Sequence, residues 1–377
     1  MKLTKNLLLL VTIVSLAACI HNKNNATSSE EPGSTNEIPV GMTGFESDRI
    51  SGLGIEHVIH ISVDGLHPSA ITTLGATRLP AFYRLRVNGS FTDNARTDGD
   101  FAYTLPNHTS QLTGWPVNGE KGHNWNLNYG ATDFNITLHE LKGRYVSSVF
   151  DVVHDFGLST ALYTSKSKFV LFKNSWDKNN AAIDAVLPDS GRNKIDSYFF
   201  DANTENLVTQ FIQDLEANKY NYAFIHLADP DVAGHEDAWS LVQDSQYLKS
   251  VERVDSLLQS ILELIDQDLS FKNSTVLILT ADHGGEFGTK LHFLLRDSGN
   301  MDSGVVPFYI YGKLIPAGED LYSWNPNLTL DPGSRHPEND DEFQPVRNTD
   351  TANLVLELLG LPNVPGSSVD NLNFPYF

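Results

Sequence analysis

The sequence predicts an α/β protein with a mainly parallel central sheet covered by helices on both faces. Three observations predict it. Apolar, β-branched runs recur along the chain, amphipathic stretches at helical spacing lie between them, and three of the runs end at aspartates. Strands alternating with helices build parallel sheets buried on both sides. Such sheets gather function at the carboxyl ends of their strands.

His57-Val58-Ile59-His60-Ile61-Ser62-Val63 is stopped by Asp64-Gly65 and reads as the first buried strand. Tyr222 to Ala228 is a second, followed by Asp229-Pro230-Asp231. Thr275 to Thr280 is a third, ending at Ala281-Asp282, and Val305 to Tyr311 is a fourth. Between them, Leu207, Val208, Phe211, Ile212 and Leu215 form one apolar helical face. Ser240 to Leu264 repeats that pattern, and Thr351 to Leu359 is a short last helix. Residues 166–203 are polar and weakly periodic, as expected of a lid or substrate-facing insertion, or of a surface excursion without function.

The chain has 377 residues, 40% of them hydrophobic, enough for a sizeable core. Its 26 Lys+Arg against 47 Asp+Glu give a formal charge of -21. That balance argues against binding a nucleic-acid duplex, which needs a basic stripe. A small anionic substrate stays compatible, because bound metal cations reverse the local field.

Cys19 is the single cysteine, so no disulfide can form within the chain. Lys2 and Lys5, an apolar run from Leu7 to Ala17 and small residues before Cys19 have the form of a secretory signal. Leu16-Ala17-Ala18-Cys19 resembles a bacterial lipobox, in which the cysteine is lipidated and becomes the new N-terminus. The expected division is a signal peptide over 1–18, a flexible tether over 19–48 and one catalytic domain over 49–377. Ile20 after the cysteine is not the aspartate associated with inner-membrane retention, so an exported, outer-membrane lipoprotein is expected.

Four clusters carry chemistry. Asp231-Val232-Ala233-Gly234-His235 spaces a carboxylate and an imidazole to face one metal, although an acid capping a helix beside a solvated histidine has the same spacing. Asp282-His283-Gly284-Gly285 follows a strand, with glycines that allow a sharp turn, and His292 comes shortly after. Pro106 in Thr104-Leu105-Pro106-Asn107-His108 fits the first turn of a helix. Thr104 then lies at a helix N-terminus, which attracts anions but is also an ordinary place for a capping threonine.

Taken together and in order, these residues resemble the alkaline phosphatase superfamily, and most closely its nucleotide pyrophosphatase/phosphodiesterase-like branch. That branch shows a strand followed by Asp-Gly, then Thr-Phe-Pro-Asn-His, Pro-Asp-x-x-x-His and Asp-His-Gly. Here these are Val63-Asp64-Gly65, Thr104-Leu105-Pro106-Asn107-His108, Pro230-Asp231 through His235, and Asp282-His283-Gly284. The resemblance spans about residues 55–365 and implies an alkaline phosphatase-like fold with two divalent ions. Asp231, His235 and His292 would hold one ion, and Asp64, Asp282 and His283 the other. Thr104 would be the nucleophile and form a phospho-threonine. Asn107 would donate to a phosphate oxygen. Nitrogen and oxygen ligands suit zinc. In many relatives the last histidine lies far downstream, which makes His336 the competitor of His292.

Thr104 cannot become the formylglycine that sulfatases need. Asn107 in place of a cation suits the single charge of a phosphodiester or pyrophosphate bond. Phosphomonoester hydrolysis is the runner-up, since Lys166 and Lys168 could supply a cation, and a non-catalytic binding lipoprotein is the third reading.

Overall fold

Buried strands form where the apolar runs fall, because both faces of the sheet are covered. In the computed structural model, which describes residues 52–129, 136–184, 191–292 and 301–375, every residue of β1 (His57–Val63), β5 (Tyr222–Leu227) and β6 (Thr275–Thr280) is buried. The remaining strands are β2 (Ser90–Arg96), β3 (Thr160–Thr164), β4 (Ser197–Phe200), β7 (Val305–Gly312) and β8 (Glu319–Asp320). They make one eight-stranded sheet in the order β4-β3-β5-β1-β6-β7-β2-β8. From β4 to β6 all neighbours are parallel, whereas β7 is antiparallel to both β6 and β2. The sheet is therefore mainly parallel, as expected. Cys19 and the proposed signal and tether lie outside the described residues.

The four strands read from the sequence sit at or next to the centre of this sheet. Those not anticipated are short or polar: Ser-Phe-Thr-Asp-Asn-Ala-Arg in β2, five residues in β3 and four in β4. Such segments leave too weak a period to register.

The helices differ in their boundaries. The expected 240–264 helix is Gln246–Gln267, started by Ser245, whose hydroxyl accepts from Leu248 N–H. Ahead of it, Asp229–Asp237 forms a separate helix with Pro230 in its first turn, closed by Ala238 in the left-handed region. Its C-terminal break lets the chain turn before the long helix begins.

Described residues of the 166–203 stretch are anchored in the core. Phe169, Leu171, Phe172 and Trp176 are fully buried, and Ser197–Phe200 pairs with β3 as the edge strand of the sheet. Phe169 packs against His226 with the rings tilted and their centres 4.3 Å apart. The polar residues around these anchors hid them in the sequence.

A buried ionic cluster fastens this segment to the sheet edge. The helix Val149–Asp155 opens with a reciprocal Ser148/Asp151 cap and ends near His154. His154 reaches Asp184 at 3.1 Å and Asp196 at 3.4 Å. Lys194, buried, pairs with Asp155 at 2.6 Å and with Asp184. The Asp196 hydrogen bond, opposed by burial, raises His154 to about 9. The folded value exceeds the unfolded one of about 6.5, so this contribution is complete below that pH and disappears as pH rises through 9. His154→Gln should cost on the order of 1 kcal/mol at pH 6, after allowance for solvent screening. Urea unfolding of both proteins from pH 6 to 9.5 should show the gap closing at the alkaline end. A gap independent of pH would show that the imidazolium contributes nothing.

Candidate active site

Register brings the first two aspartates together. β1 pairs with β6 with Ser62 opposite Thr280. Two residues further on, Asp64 and Asp282 leave the sheet side by side. Gly65 then turns with φ +72°, and a Cβ there would lie 2.7 Å from Asp231 Cα. Only glycine permits both the conformation and the approach. Gly65 N–H also donates to Asp282 Oδ1 at 3.1 Å. Asp231 arrives from the neighbouring β5, in the first turn of its helix.

Two clusters result. Asp231, His235 and His292 form one, and Asp64, Asp282 and His283 form the other. Within each cluster the ligand atoms lie within 4.8 Å of one another, close enough to hold an ion. Asp64 Oδ1 is 3.4 Å and Asp282 Oδ2 is 3.2 Å from His283 Nε2. Asp231 Oδ1 is 3.4 Å from His235 Nε2 and 3.8 Å from both His292 Nε2 and His283 Nε2. The two clusters are thus adjacent.

The donor atoms fit metal ions. Asp64 Oδ1, Asp231 Oδ1, Asp282 Oδ2 and His283 Nε2 are buried without hydrogen-bond partners. Leaving such groups unmet costs about 1–3 kcal/mol each, more when they are charged. Each candidate histidine gives its Nδ1 to a backbone carbonyl: His283 to Gly284 (2.7 Å), His292 to Ala102 (2.8 Å) and His235 to Lys290 (2.9 Å). These bonds place the Nε2 lone pair toward the cluster, the arrangement metal-binding histidines use. Burial, reinforced by the neighbouring His292, lowers His283 to about 3, so it is a neutral donor.

Lys166 was not assigned to the ion clusters from the sequence. Its Nζ lies 2.6 Å from Asp64 Oδ2 and 2.6 Å from Asp231 Oδ2. Burial alone would raise Asp64, but Lys166 and the His226 hydrogen bond hold it well below the usual carboxylate range. Asp282, without so close a cation, is driven well above that range by burial and then by Asp64. His226 takes the other role that register creates: its Nε2 is 2.9 Å from Asp64 Oδ2, leaving Oδ1 to face the cluster.

Thr104 is the first residue of the helix Thr104–Thr113 and is buried. Its segment is fastened to both clusters. Ala102 O holds His292, while Thr104 O accepts from His108 Nδ1, itself 3.6 Å from Asp282 Oδ2. Asn107 differs from expectation. Both amide protons go to backbone, to Phe101 O (2.9 Å) and Tyr103 O (3.2 Å), and its Oδ1 accepts from Asp98 N–H. It braces the loop ahead of the helix. The carboxamide beside Thr104 is Asn128, whose Oδ1 accepts from Leu105 N–H (3.2 Å) and Lys168 Nζ (3.0 Å). His123-Asn124-Trp125-Asn126-Leu127-Asn128 offers three alternating asparagines, and nothing local selects one.

His292, not His336, joins the cluster. His336 pairs through Nε2 with Asp98 O at 2.9 Å. Gly284 and Gly285 are not left-handed turn residues. A Cβ on Gly285 would lie 2.0 Å from the Trp239 ring, so this glycine makes room for the indole whose Nε1 donates to Gly65 O. Asp229 pairs with Arg253 at 3.1 Å, outside both clusters.

Comparison with known proteins follows this geometry. Residues 126–348, well over half of the chain, match the family model of type I phosphodiesterase / nucleotide pyrophosphatase. No curated protein matches the chain. Among solved structures, murine ectonucleotide pyrophosphatase/phosphodiesterase 5, inactive and in complex with AMP, is similar with a TM-score of 0.54 at 13% identity. That alignment covers 82% of this chain and 96% of the murine one. The human counterpart gives 0.52 at 14%, over 84% and 100%. An alkaline phosphatase superfamily protein from Vibrio parahaemolyticus gives 0.52 at 12%, over 84% and 69%. These likenesses are of fold, and the fold is alkaline phosphatase-like. With the family match spanning β5, β6 and the residues that follow each, the chain belongs to the type I phosphodiesterase / nucleotide pyrophosphatase family, enzymes that hydrolyse phosphate esters.

Proposed function

We propose that this enzyme cleaves phosphodiester or pyrophosphate bonds with Thr104 as nucleophile and two divalent ions, zinc by ligand chemistry, held by the two clusters. The supporting observation is the set of orphaned donors: three carboxylate oxygens and one imidazole nitrogen aimed into one pocket. Asp231, His235 and His292 would hold one ion, and Asp64, Asp282 and His283 the other. Bound there, such ions neutralise the carboxylates, lower the pKa of a coordinated hydroxyl and stabilise the leaving oxygen.

The chain's own residues do the rest. Thr104 Oγ attacks phosphorus as the bond to the leaving-group oxygen breaks, and that oxygen departs with the bonding electron pair and takes up the proton that Thr104 gives up. Water then cleaves the phospho-threonine ester, releasing phosphate product and restoring the hydroxyl. The helix Thr104–Thr113 begins at this point and turns its positive dipole end toward the phosphate, while its Leu105 and Asn107 amides are spent on Asn128 Oδ1 and Tyr103 O. Asn128 orients the Leu105 amide and offers its carboxamide next to the reacting group. Phosphomonoester hydrolysis remains the second reading, favoured specifically by Lys166 in the pocket.

Thr104→Ala should lower turnover of bis-p-nitrophenyl phosphate by at least about 1000-fold, while metal content by elemental analysis stays at the wild-type level. Chelator should silence the wild type, and added zinc restore it. Near-normal turnover in the variant would remove threonine from the reaction.

Asn128→Ala should cost about 100–1000-fold in kcat with an unchanged melting temperature. Asn107→Ala should instead lower the melting temperature, because it unties the loop before the helix. The opposite pattern would return the substrate-facing role to Asn107.

We also propose that the enzyme works outside the cytoplasm of a bacterium, carried by a lipid on Cys19 with the residues up to 48 as tether. No helix among the described residues is long and apolar enough to cross a membrane. Metabolic labelling with a fatty-acid analogue should tag the wild type and not Cys19→Ala. Equal labelling of both would exclude the anchor.

A further inference from the structure

Lys166 and Lys168 lie two residues apart, on the turn that leaves β3. Lys166 meets one carboxylate of each ion cluster, at 2.6 Å in both cases. Lys168 reaches only a neutral group, Asn128 Oδ1 at 3.0 Å, which is also held by the Leu105 amide beside Thr104. Among the described residues Lys168 makes no ion pair, although the chain carries 47 acidic residues against 26 basic ones. Both side chains are half-buried and, with Ser165, Ser167, Phe200 and Ala202, line a depression in the surface.

Charge balance shows what this arm is for. Three carboxylates against two divalent ions leave one surplus positive charge. The two ammonium groups raise it to three, and an ionised Thr104 lowers it to two. Without the lysines the same pocket would be neutral before substrate arrives, and a monoanionic diester would already overfill it. With them, a substrate bearing two negative charges brings the site to neutrality. Buried charge without compensation is costly, so the difference bears directly on binding.

We propose that Lys166 and Lys168 form a phosphate-binding arm that selects substrates carrying a second negative charge at or next to the scissile phosphorus. The inference rests on the proposed function and names its substrate class. The second charge comes either from a terminal phosphate, as in a phosphomonoester dianion, or from the adjoining phosphate of a pyrophosphate link. Lys168 is the better probe of the arm, because it touches none of the ion ligands.

The test uses metal-loaded full-length protein and three substrates: p-nitrophenyl phosphate, bis-p-nitrophenyl phosphate and diadenosine pyrophosphate. Lys168→Ala should lower kcat/KM for one or both doubly charged substrates by about 10–100-fold, the loss expected for one charged hydrogen bond. The loss on bis-p-nitrophenyl phosphate should be at least ten times smaller, by about one charged contact. Loss confined to p-nitrophenyl phosphate identifies the terminal phosphate as the source, and loss confined to the dinucleotide identifies the adjoining one. Lys168→Arg should recover most of the discrimination, and Lys168→Met should repeat the alanine result with the stem retained. A second readout needs no turnover: calorimetric binding of inorganic phosphate to Thr104→Ala protein should weaken when Lys168→Ala is added. Equal losses on all three substrates, no loss on any, or unchanged phosphate binding would each overturn the arm. A wild type that hydrolyses none of the esters would instead strike the threonine hydrolase itself, so the two readings fail separately.

Discussion

Three buried carboxylates, Asp64, Asp231 and Asp282, share one pocket, and their mutual repulsion is the constraint around which the rest of the molecule is arranged. Like charges at this separation in a poorly solvated site cannot all remain ionised without cations. The protein meets part of the demand with Lys166 and the histidines. The remaining demand appears as orphaned oxygens and as the strongly raised Asp282. A pocket that is unfavourable when judged by its own groups is what a metal-dependent enzyme requires, because ion binding then relieves the strain that folding imposed.

Support for that pocket comes from backbone and close packing. Parallel strands deliver Asp64 and Asp282 in register, a single left-handed glycine lets Asp231 approach, and Trp239 fills the floor against Gly285 while bonding to Gly65 O. The histidines are aimed by carbonyls of two segments, Gly284 and Lys290 in the loop after β6 and Ala102 ahead of Thr104. One of these, Ala102, belongs to the stretch that carries Thr104, so Thr104 and His292 are positioned by the same piece of chain. The polar groups beside the clusters are built differently. Lys166, Lys168 and Asn128 come from connections, where side chains can change without disturbing the sheet.

Much of this was legible beforehand. The runs ending at Asp64 and Asp282 were long, apolar and β-branched, and all four strands read in this way exist. Asp231 with His235, and Asp282 with His283, are local spacings that survive folding because one lies on a helix and the other at a strand end. The bonds of Asn107 were not legible, since its amide is spent on carbonyls that no local pattern reveals. The packing of the 166–203 stretch was not legible, because its buried aromatic anchors are scattered among polar residues.

The linear order of residues by itself determined the fold class, the central strands and the kinds of ligand available, since these depend on periodicity and on chemistry within a few neighbours. Tertiary structure alone decided that His292 and not His336 joins the cluster, that Asn128 stands beside Thr104, and that Lys166 enters between Asp64 and Asp231. Those choices are made by strand register and by contacts across more than twenty residues of chain, where free energy depends on distances in space that no local spacing encodes.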